Sequence, residues 1–483
     1  MFIHPGITVL LQLLICVVCC ANPAVQAAPL DLAGMGSIRD LPRYVEILED
    51  RGGEMSLDVV RQMKDEEWSG TNARERLLTP LKSVRHPEKD DTWLTTSERL
   101  LQLGYSVSVW WLKIDLANSG HSEIRRVLEI GWPLLNYLDV HVFQDGSEIS
   151  RVLMGDQRPF AERPLKTRTF AVPLNIPAGG QQTLYLRMAM HSGIFYAVPL
   201  RLWDTLDFQS SLQIDGLTQG AYLGAIIALL LYNALLFLST RDNNLLLYSF
   251  YLGGFAFWYC GFRGFGIEFL WQDAYWFNLQ FNLIAPAYVH GLATLFVVRY
   301  LETRERAVVL HWLILAVTVL TLCIMPFALF NQFDPSFPIA LPAYLYTGLS
   351  SLLILLYMVA GAWLMWRRYR PARYFVLAWS CLFFGILTFR LSEFPGFNLA
   401  DHLLVENSIN LGSALEYLLL ALALGDRFNQ MRNEKLEVEQ EAHRLQVRYS
   451  MDLARQVERR TNELRETMQQ LHKALDVERK AQE

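Results

Sequence analysis

No cysteine occurs between residues 21 and 259, no Gly or Pro follows Gly425, and charged residues make up only 19 % of the 483 residues. Each absence excludes something. The long cysteine-free segment cannot be stapled by disulfides, so it needs a core of its own, which a size of roughly 180 residues permits. Cys16, Cys19 and Cys20 lie in the first apolar run, and Cys260, Cys323 and Cys381 fall singly in later apolar segments. No pair has the spacing of a zinc site, and no metal or cofactor is expected. Scarce charge beside an apolar content of 52 % argues against a single soluble domain. A net charge of -5, with no basic patch interleaved with aromatics, excludes nucleic acid as a partner.

What is present begins with a leader. An apolar run from Ile7 to Ala21 is followed by Val25-Gln26-Ala27, a small-residue cleavage pattern, so residues 1–27 read as a signal peptide. Met1 to Gly6 carry no Lys or Arg, which leaves an uncleaved anchor as the alternative.

Seven apolar stretches of bilayer-crossing length follow at 217–238, 243–262, 278–298, 308–330, 340–366, 374–393 and 405–425. The turns after the first, third and fifth hold eight arginines: Arg241, Arg299, Arg304, Arg306, Arg367, Arg368, Arg370 and Arg373. Those after the second, fourth and sixth offer two, Arg263 and Arg390. Cations are retained on the cytoplasmic side, so the amino terminus is expected outside and the carboxyl terminus inside. Aromatics at the outer turns, among them Trp271 and Trp276, suit the headgroup level; the alternative is that these turns dock the exported domain. Ionisable residues inside spans are costly and mark function. Glu416 is the deepest, with His290 or Arg390 as conceivable partners.

Residues 28–205 alternate apolar and polar positions with strand period. The expected strands are 105–116, 124–130, 137–143, 168–174, 183–190 and 197–203, parted by turns such as Asp145-Gly146. A helical segment is expected near 57–68. Short strands at this spacing predict a jelly-roll-like β-sandwich. Exposed aromatic faces beside fixed polar groups recognise small polar ligands, which makes Trp110, Trp111, Asp139, Phe160, Arg163 and Arg187 the candidate ligand-binding residues. For each, core packing or a structural ion pair is the plain alternative. Adjacent in one strand, Trp110 and Trp111 must face opposite sides.

From 427 to 483 twelve Lys or Arg are interspersed with eleven Asp or Glu, the pattern of a long solvated helix. Val457, Thr461, Leu464, Met468, Leu471 and Leu475 recur at heptad spacing, a coiled-coil seam. Upstream, Ala442, Leu445, Tyr449 and Leu453 include consecutive four-residue steps, a stutter. A parallel homodimer is expected, and the seam running on toward Glu483 points to a further module or a separate partner.

Leu231-Tyr232-Asn233, Arg241-Asp242, and Gly412-Ser413-Ala414-Leu415-Glu416 with Gly425-Asp426-Arg427 resemble the bacterial seven-transmembrane receptors with diverse intracellular signalling modules. Leu138-Asp139-Val140, Gly155-Asp156, Arg158-Pro159-Phe160, Arg163 and Leu184-Tyr185-Leu186-Arg187 are similar to that family's type-2 extracellular module. The resemblance implies a multidomain receptor of the bacterial inner membrane. Its parts would be a periplasmic jelly-roll sensor (28–205) for a carbohydrate-like ligand, a seven-helix bundle (206–430) and a cytoplasmic signalling helix (431–483). Glu416, Asp426 and Arg427 are the candidate relay residues. The usual output of the family is a histidine kinase or a diguanylate cyclase. His443 and His472 lack the neighbours of a phosphoacceptor, and neither an ATP lid nor a cyclase signature occurs. Catalysis is therefore not expected in this chain; a kinase-type output elsewhere is the leading expectation and a cyclase the alternative. A transporter, channel or scaffold is the competing class, weakened by the absence of repeats among the spans.

Overall fold

The computed structural model describes residues 29–63, 94–95, 101, 103–105, 108–190, 194–195, 198–272, 274–330, 340–391 and 402–482. The leader at 1–27 lies outside the described residues. The chain divides into two compact units, 1–419 and 420–483.

In the first unit, alternation becomes a two-layer β-sandwich. Its strands are β1 (Leu30–Asp31), β2 (Glu46–Asp50), β3 (Leu94–Thr95), β4 (Gly104–Tyr105), β5 (Val109–Ala117), β6 (Ile124–Ile130), β7 (Tyr137–Gln144), β8 (Ser147–Met154), β9 (Phe170–Ile176), β10 (Gln181–Ala189), β11 (Ile194–Phe195) and β12 (Leu200–Asp204). One sheet runs β3-β2-β5-β10-β7-β8 with β1 against β5, a second runs β12-β6-β9, and β4 pairs with β11. Alternate residues fill the space between the layers. Leu112 and Ile114, Leu138 and Val140, Leu184 and Leu186 meet Leu128, Ile130, Phe170 and Val172, all essentially inaccessible. The outer face of the long sheet carries a smaller cluster, Leu48, Val109, Trp111, Phe143 and Tyr185, capped by Val60 of helix α1 (Leu57–Arg61).

Several boundaries differ from the sequence reading for physical reasons. The expected strand 105–116 is two, β4 and β5, parted at Ser108. The strand expected at 168–174 starts at Phe170, because Arg168 turns toward the membrane helices. Of the strand expected at 197–203, Ala197 lies outside the described residues, and β12 opens at Leu200, just after Pro199, which has no N–H to donate to a ladder. Helix α1 ends at Arg61, and residues 64–93 lie outside the described ones. At Asp145-Gly146 both residues have positive φ (50° and 78°), the geometry of a two-residue hairpin turn.

Seven longer helices follow among the described residues: α2 (Thr205–Thr240), α3 (Asn243–Phe262), α4 (Tyr275–Tyr300), α6 (Val308–Phe330), α7 (Ala340–Trp366), α8 (Arg370–Leu391) and α9 (His402–Gln482), with the single turn α5 (Thr303–Arg306) between α4 and α6. Six contain stretches long and apolar enough to cross a membrane; in α6 the described apolar stretch is Val308–Ile324. Asp204 caps α2 by accepting from Leu206 N at 3.1 Å, so β12 passes into the first span without a linker. Where α8 crosses α9, a Cβ on Gly412 would stand 2.6 Å from Cys381 O, and one on Gly385 2.4 Å from Ser408 O. Only glycine lets the two backbones approach so closely.

The second unit, 420–483, is helical. Val438, Leu445, Tyr449, Leu453, Val457, Leu464, Met468, Leu471 and Leu475 are each at least half exposed along it.

Candidate functional site

The six candidate ligand residues fall in three places. Trp110 points into the inter-sheet core and Trp111 into the outer cluster. Trp111, Arg187 and Asp139 occupy one cross-strand row of the outer face. There Arg158 Nη1 donates to Asp139 Oδ1 at 2.5 Å, and Arg187 Nη1 lies 3.8 Å from Asp139 Oδ2. Phe160 and Arg163 sit elsewhere, on the segment that meets the membrane helices. The Arg163 guanidinium lies over the Phe160 and Phe170 rings, and its Nη1 donates to Thr167 O and Arg168 O. An open groove of about 560 Å³ beside the start of α2, lined by Asn118, Gly120, Arg126 and Asp204, contains none of the six.

That meeting segment is one side of a built junction. Arg168 Nε donates to Asp215 Oδ2 of α2 at 3.0 Å, its Nη2 reaches the same oxygen, and its Nη1 donates to Arg263 O at the end of α3. Arg263 Nη2 lies 3.8 Å from Asp215 Oδ1. Around this charge cluster apolar groups interlock. Phe262 and Phe389 pack on the sandwich core, Trp132 meets Phe262 edge to face, and Arg168 lies over Phe265. Gly264, at φ 81°, brings the chain so near that a Cβ would stand 2.8 Å from Pro133 Cβ. Beside it, Asp156 accepts from Asn136 Nδ2 (2.8 Å), Gln157 Nε2 (3.2 Å) and, across the junction, Asn278 Nδ2 of α4 (3.0 Å). Gln157 Nε2 also donates to Tyr275 O. The outer turns thus touch the sandwich, and Trp271 is committed to Asn278 Oδ1 through its Nε1–H at 3.1 Å.

Burial sets the electrostatics here. It raises the Asp156 carboxyl to about 6 against the pull of Asn136, Gln157, Asn278 and Arg163. It lowers Arg163 to about 10, and raises Glu268 on the turn Gly266–Leu270.

A second polar network lies within the bundle. Glu416 is fully buried, and Tyr251 Oη donates to its carboxylate at 3.2 and 3.4 Å. His290 is engaged elsewhere, against Pro286 O and Tyr346 Oη, and the Arg390 side chain lies outside the described residues. Tyr222 Oη is 2.5 Å from Ser413 Oγ. Tyr259 Oη lies 2.6 Å from Gln219 Oε1 and 2.7 Å from Asn410 Oδ1. One hydroxyl proton serves only one acceptor at a time, so this hydroxyl has two arrangements. The network ties α2, α3 and α9. The side chains of Asp426 and Arg427, further along α9, lie outside the described residues.

Sequence reasoning missed Arg168, Asp215 and Asn278, and noted Arg263 only for orientation. Asp215, an acidic residue two positions before the first apolar span, was the available signal; its partner, 47 residues earlier, was not.

Comparison with known proteins supplies the rest. Residues 215–427 match the family model described as 7TM diverse intracellular signalling, and residues 42–204 match 7TMR-DISM extracellular 2. No curated protein matches the chain.

Proposed function

The chain belongs to the seven-transmembrane receptors with diverse intracellular signalling modules, multipass sensory receptors of the membrane, and from that premise we propose that it senses a small carbohydrate-like ligand in the bacterial periplasm and relays binding through its bundle and C-terminal helix to a histidine kinase-type output module. The observation that carries the reading is the direct passage of β12 into α2, clamped sideways by Arg168 on Asp215. A linker would absorb a displacement of the sandwich; this connection passes it to the first span. Within the bundle, Glu416 and its tyrosines are the relay, with Asp426 and Arg427 continuing it toward the output. The exposed seam of the second unit supports a parallel homodimer, and the arginine-rich turns after the first, third and fifth spans support a cytoplasmic carboxyl terminus. On the ligand side, Asp139 and Arg187 keep side chains 13 % and 27 % exposed, within reach of a polar ligand.

The test uses the full receptor in nanodiscs, titrated with a panel of oligosaccharides, and the same chain joined to a kinase module. Saturable binding is expected, weakened about tenfold by Arg187→Ala, some 1.4 kcal/mol. Arg168→Asp is expected to keep that binding and lose the ligand-driven change in phosphorylation. Absence of saturable binding across the panel, or a full response in Arg168→Asp, contradicts the proposal.

A further inference from the structure

Asp156 is the least conventional group at the junction. Its side chain is buried, with 2 % of the residue exposed, yet among the described residues no cationic nitrogen comes within ion-pair reach of it. Every partner of the carboxylate is a neutral amide. The nearest guanidinium, Arg163, is spent on two backbone carbonyls and two rings, and its Nε and Nη2 are buried without partners. The backbone beside the carboxylate is closely packed. A Cβ on the preceding Gly155 (φ 149°) would stand 1.9 Å from Asn136 O, so this backbone fits only glycine. One of the three amide partners of Asp156 belongs to the bundle. Asn278 is 1 % exposed, and Trp271 Nε1–H on its Oδ1 fixes the amide so that Nδ2 must face Asp156.

An unpaired buried carboxylate is costly, and adding a proton removes that cost. Lifting the sandwich from the bundle would remove Asn278 and admit water, which returns the group to ordinary carboxylate behaviour. The docked and undocked arrangements therefore differ in proton affinity. We propose that the Asp156 carboxyl is a proton-binding site at the junction, so that protons from the sensor's own compartment act as a second ligand that favours the docked arrangement. The inference rests on the junction being the coupling element.

The sign follows from linkage. Burial holds the docked carboxyl at about 6, above its ordinary 3.8. A site that binds protons more tightly when docked stabilises docking as pH falls through about 6, and the gain is complete below the undocked value. Two units of difference correspond to a roughly 100-fold shift in the docking equilibrium. The charged group that acts on the site is Arg163, after the turn Phe160–Glu162; beyond it Glu268, on the turn Gly266–Leu270, acts on Arg163 and is itself coupled to Arg168 before β9 and Asp215 of α2, which also pairs with Arg263 after α3. Glu268, half-buried, is itself raised by burial.

The experiment is a pH titration of the full receptor in nanodiscs by infrared spectroscopy. The carboxyl C=O band that disappears in Asp156→Asn is followed. The wild-type midpoint is expected near 6. In Arg168→Asp, a new negative charge left in a docked junction would raise that midpoint; the proposal predicts instead a fall of a unit or more, at least tenfold in proton affinity, because undocking hydrates Asp156. Should Arg168→Asp not fold, Asn278→Asp serves: a carboxylate placed opposite Asp156 is expected to raise the midpoint by about a unit. A wild-type midpoint near 4, or one unmoved by either substitution, overturns the proton site. The titration does not use output, so the two readings fail separately. A midpoint that falls while ligand response survives in Arg168→Asp sinks the coupling reading alone.

Discussion

Two polar networks among the described residues, one at the junction and one inside the bundle, are built from different chemistry. At the junction, between sandwich and bundle, full charges meet: Arg168, Asp215, Arg263, Glu268 and Arg163, with Asp215 still 31 % exposed. Inside the bundle, the network of Glu416, Tyr251, Tyr222, Tyr259, Gln219, Asn410 and Ser413 contains one carboxylate and otherwise only hydroxyls and amides. The difference follows depth. Ion pairs are affordable where water and neighbouring charges offset desolvation, whereas a lone charge in hydrocarbon surroundings costs several kcal/mol. A charged junction can also be opened and remade, because each ion has solvent as an alternative partner. A buried hydroxyl-amide network rearranges by exchanging partners, as the two acceptors of Tyr259 allow.

Substitutions can break or sharpen this contrast. The largest effect is expected from Glu416→Lys, which leaves an unpaired cation at the centre of the bundle at a cost of about 3–5 kcal/mol; the receptor should fail to accumulate in membranes, while Glu416→Gln accumulates normally. Next comes Arg168→Asp, which sets like charges against each other at a partly hydrated site and should cost about 2–3 kcal/mol of docking. The reversal Arg168→Asp with Asp215→Arg should recover most of it, since surface-level ions can exchange places. Smaller still is Tyr259→Phe, because Asn410 Nδ2 already reaches Gln219 Oε1 at 3.2 Å; a loss of about 1 kcal/mol, read as a melting shift of a few degrees, is expected. The smallest is Arg306→Ala. Its pair with Glu302 is exposed, 45 % and 31 %, and removal should cost about 0.5 kcal/mol or less. If Arg306→Ala proved as damaging as Arg168→Asp, charge alone rather than placement would be setting the scale.

Much of the fold was legible in the residues because burial is periodic. Strand β6 begins and ends at the expected residues, Ile124 and Ile130, which with Leu128 pack on the inter-sheet core. β8 was not anticipated: Ser147 to Ile149 and most of the strand point polar or exposed groups to both sides, as an edge strand does, so no period-2 signal exists to be read. β2 lay in a stretch too polar to stand out, and it owes its place to pairing with β5. The site was less legible than the fold. Trp111, Arg187 and Asp139 share a row only because strands β5, β10 and β7 fall in that register. Asp156 and Asn278 meet from 122 residues apart, and no local pattern encodes a contact between two separately folded layers.

Signal transfer in this receptor requires the sandwich to be clamped to the bundle. Spin labels placed on the exposed positions Ile149 of β8 and Val309 of α6, in a chain whose native cysteines are replaced by serine, report that directly in nanodiscs. A clamped sandwich gives one narrow distance distribution, broadened in Arg168→Asp and narrow again in the Arg168→Asp, Asp215→Arg double variant. A broad distribution in the unsubstituted receptor, or one that Arg168→Asp leaves unchanged, contradicts it.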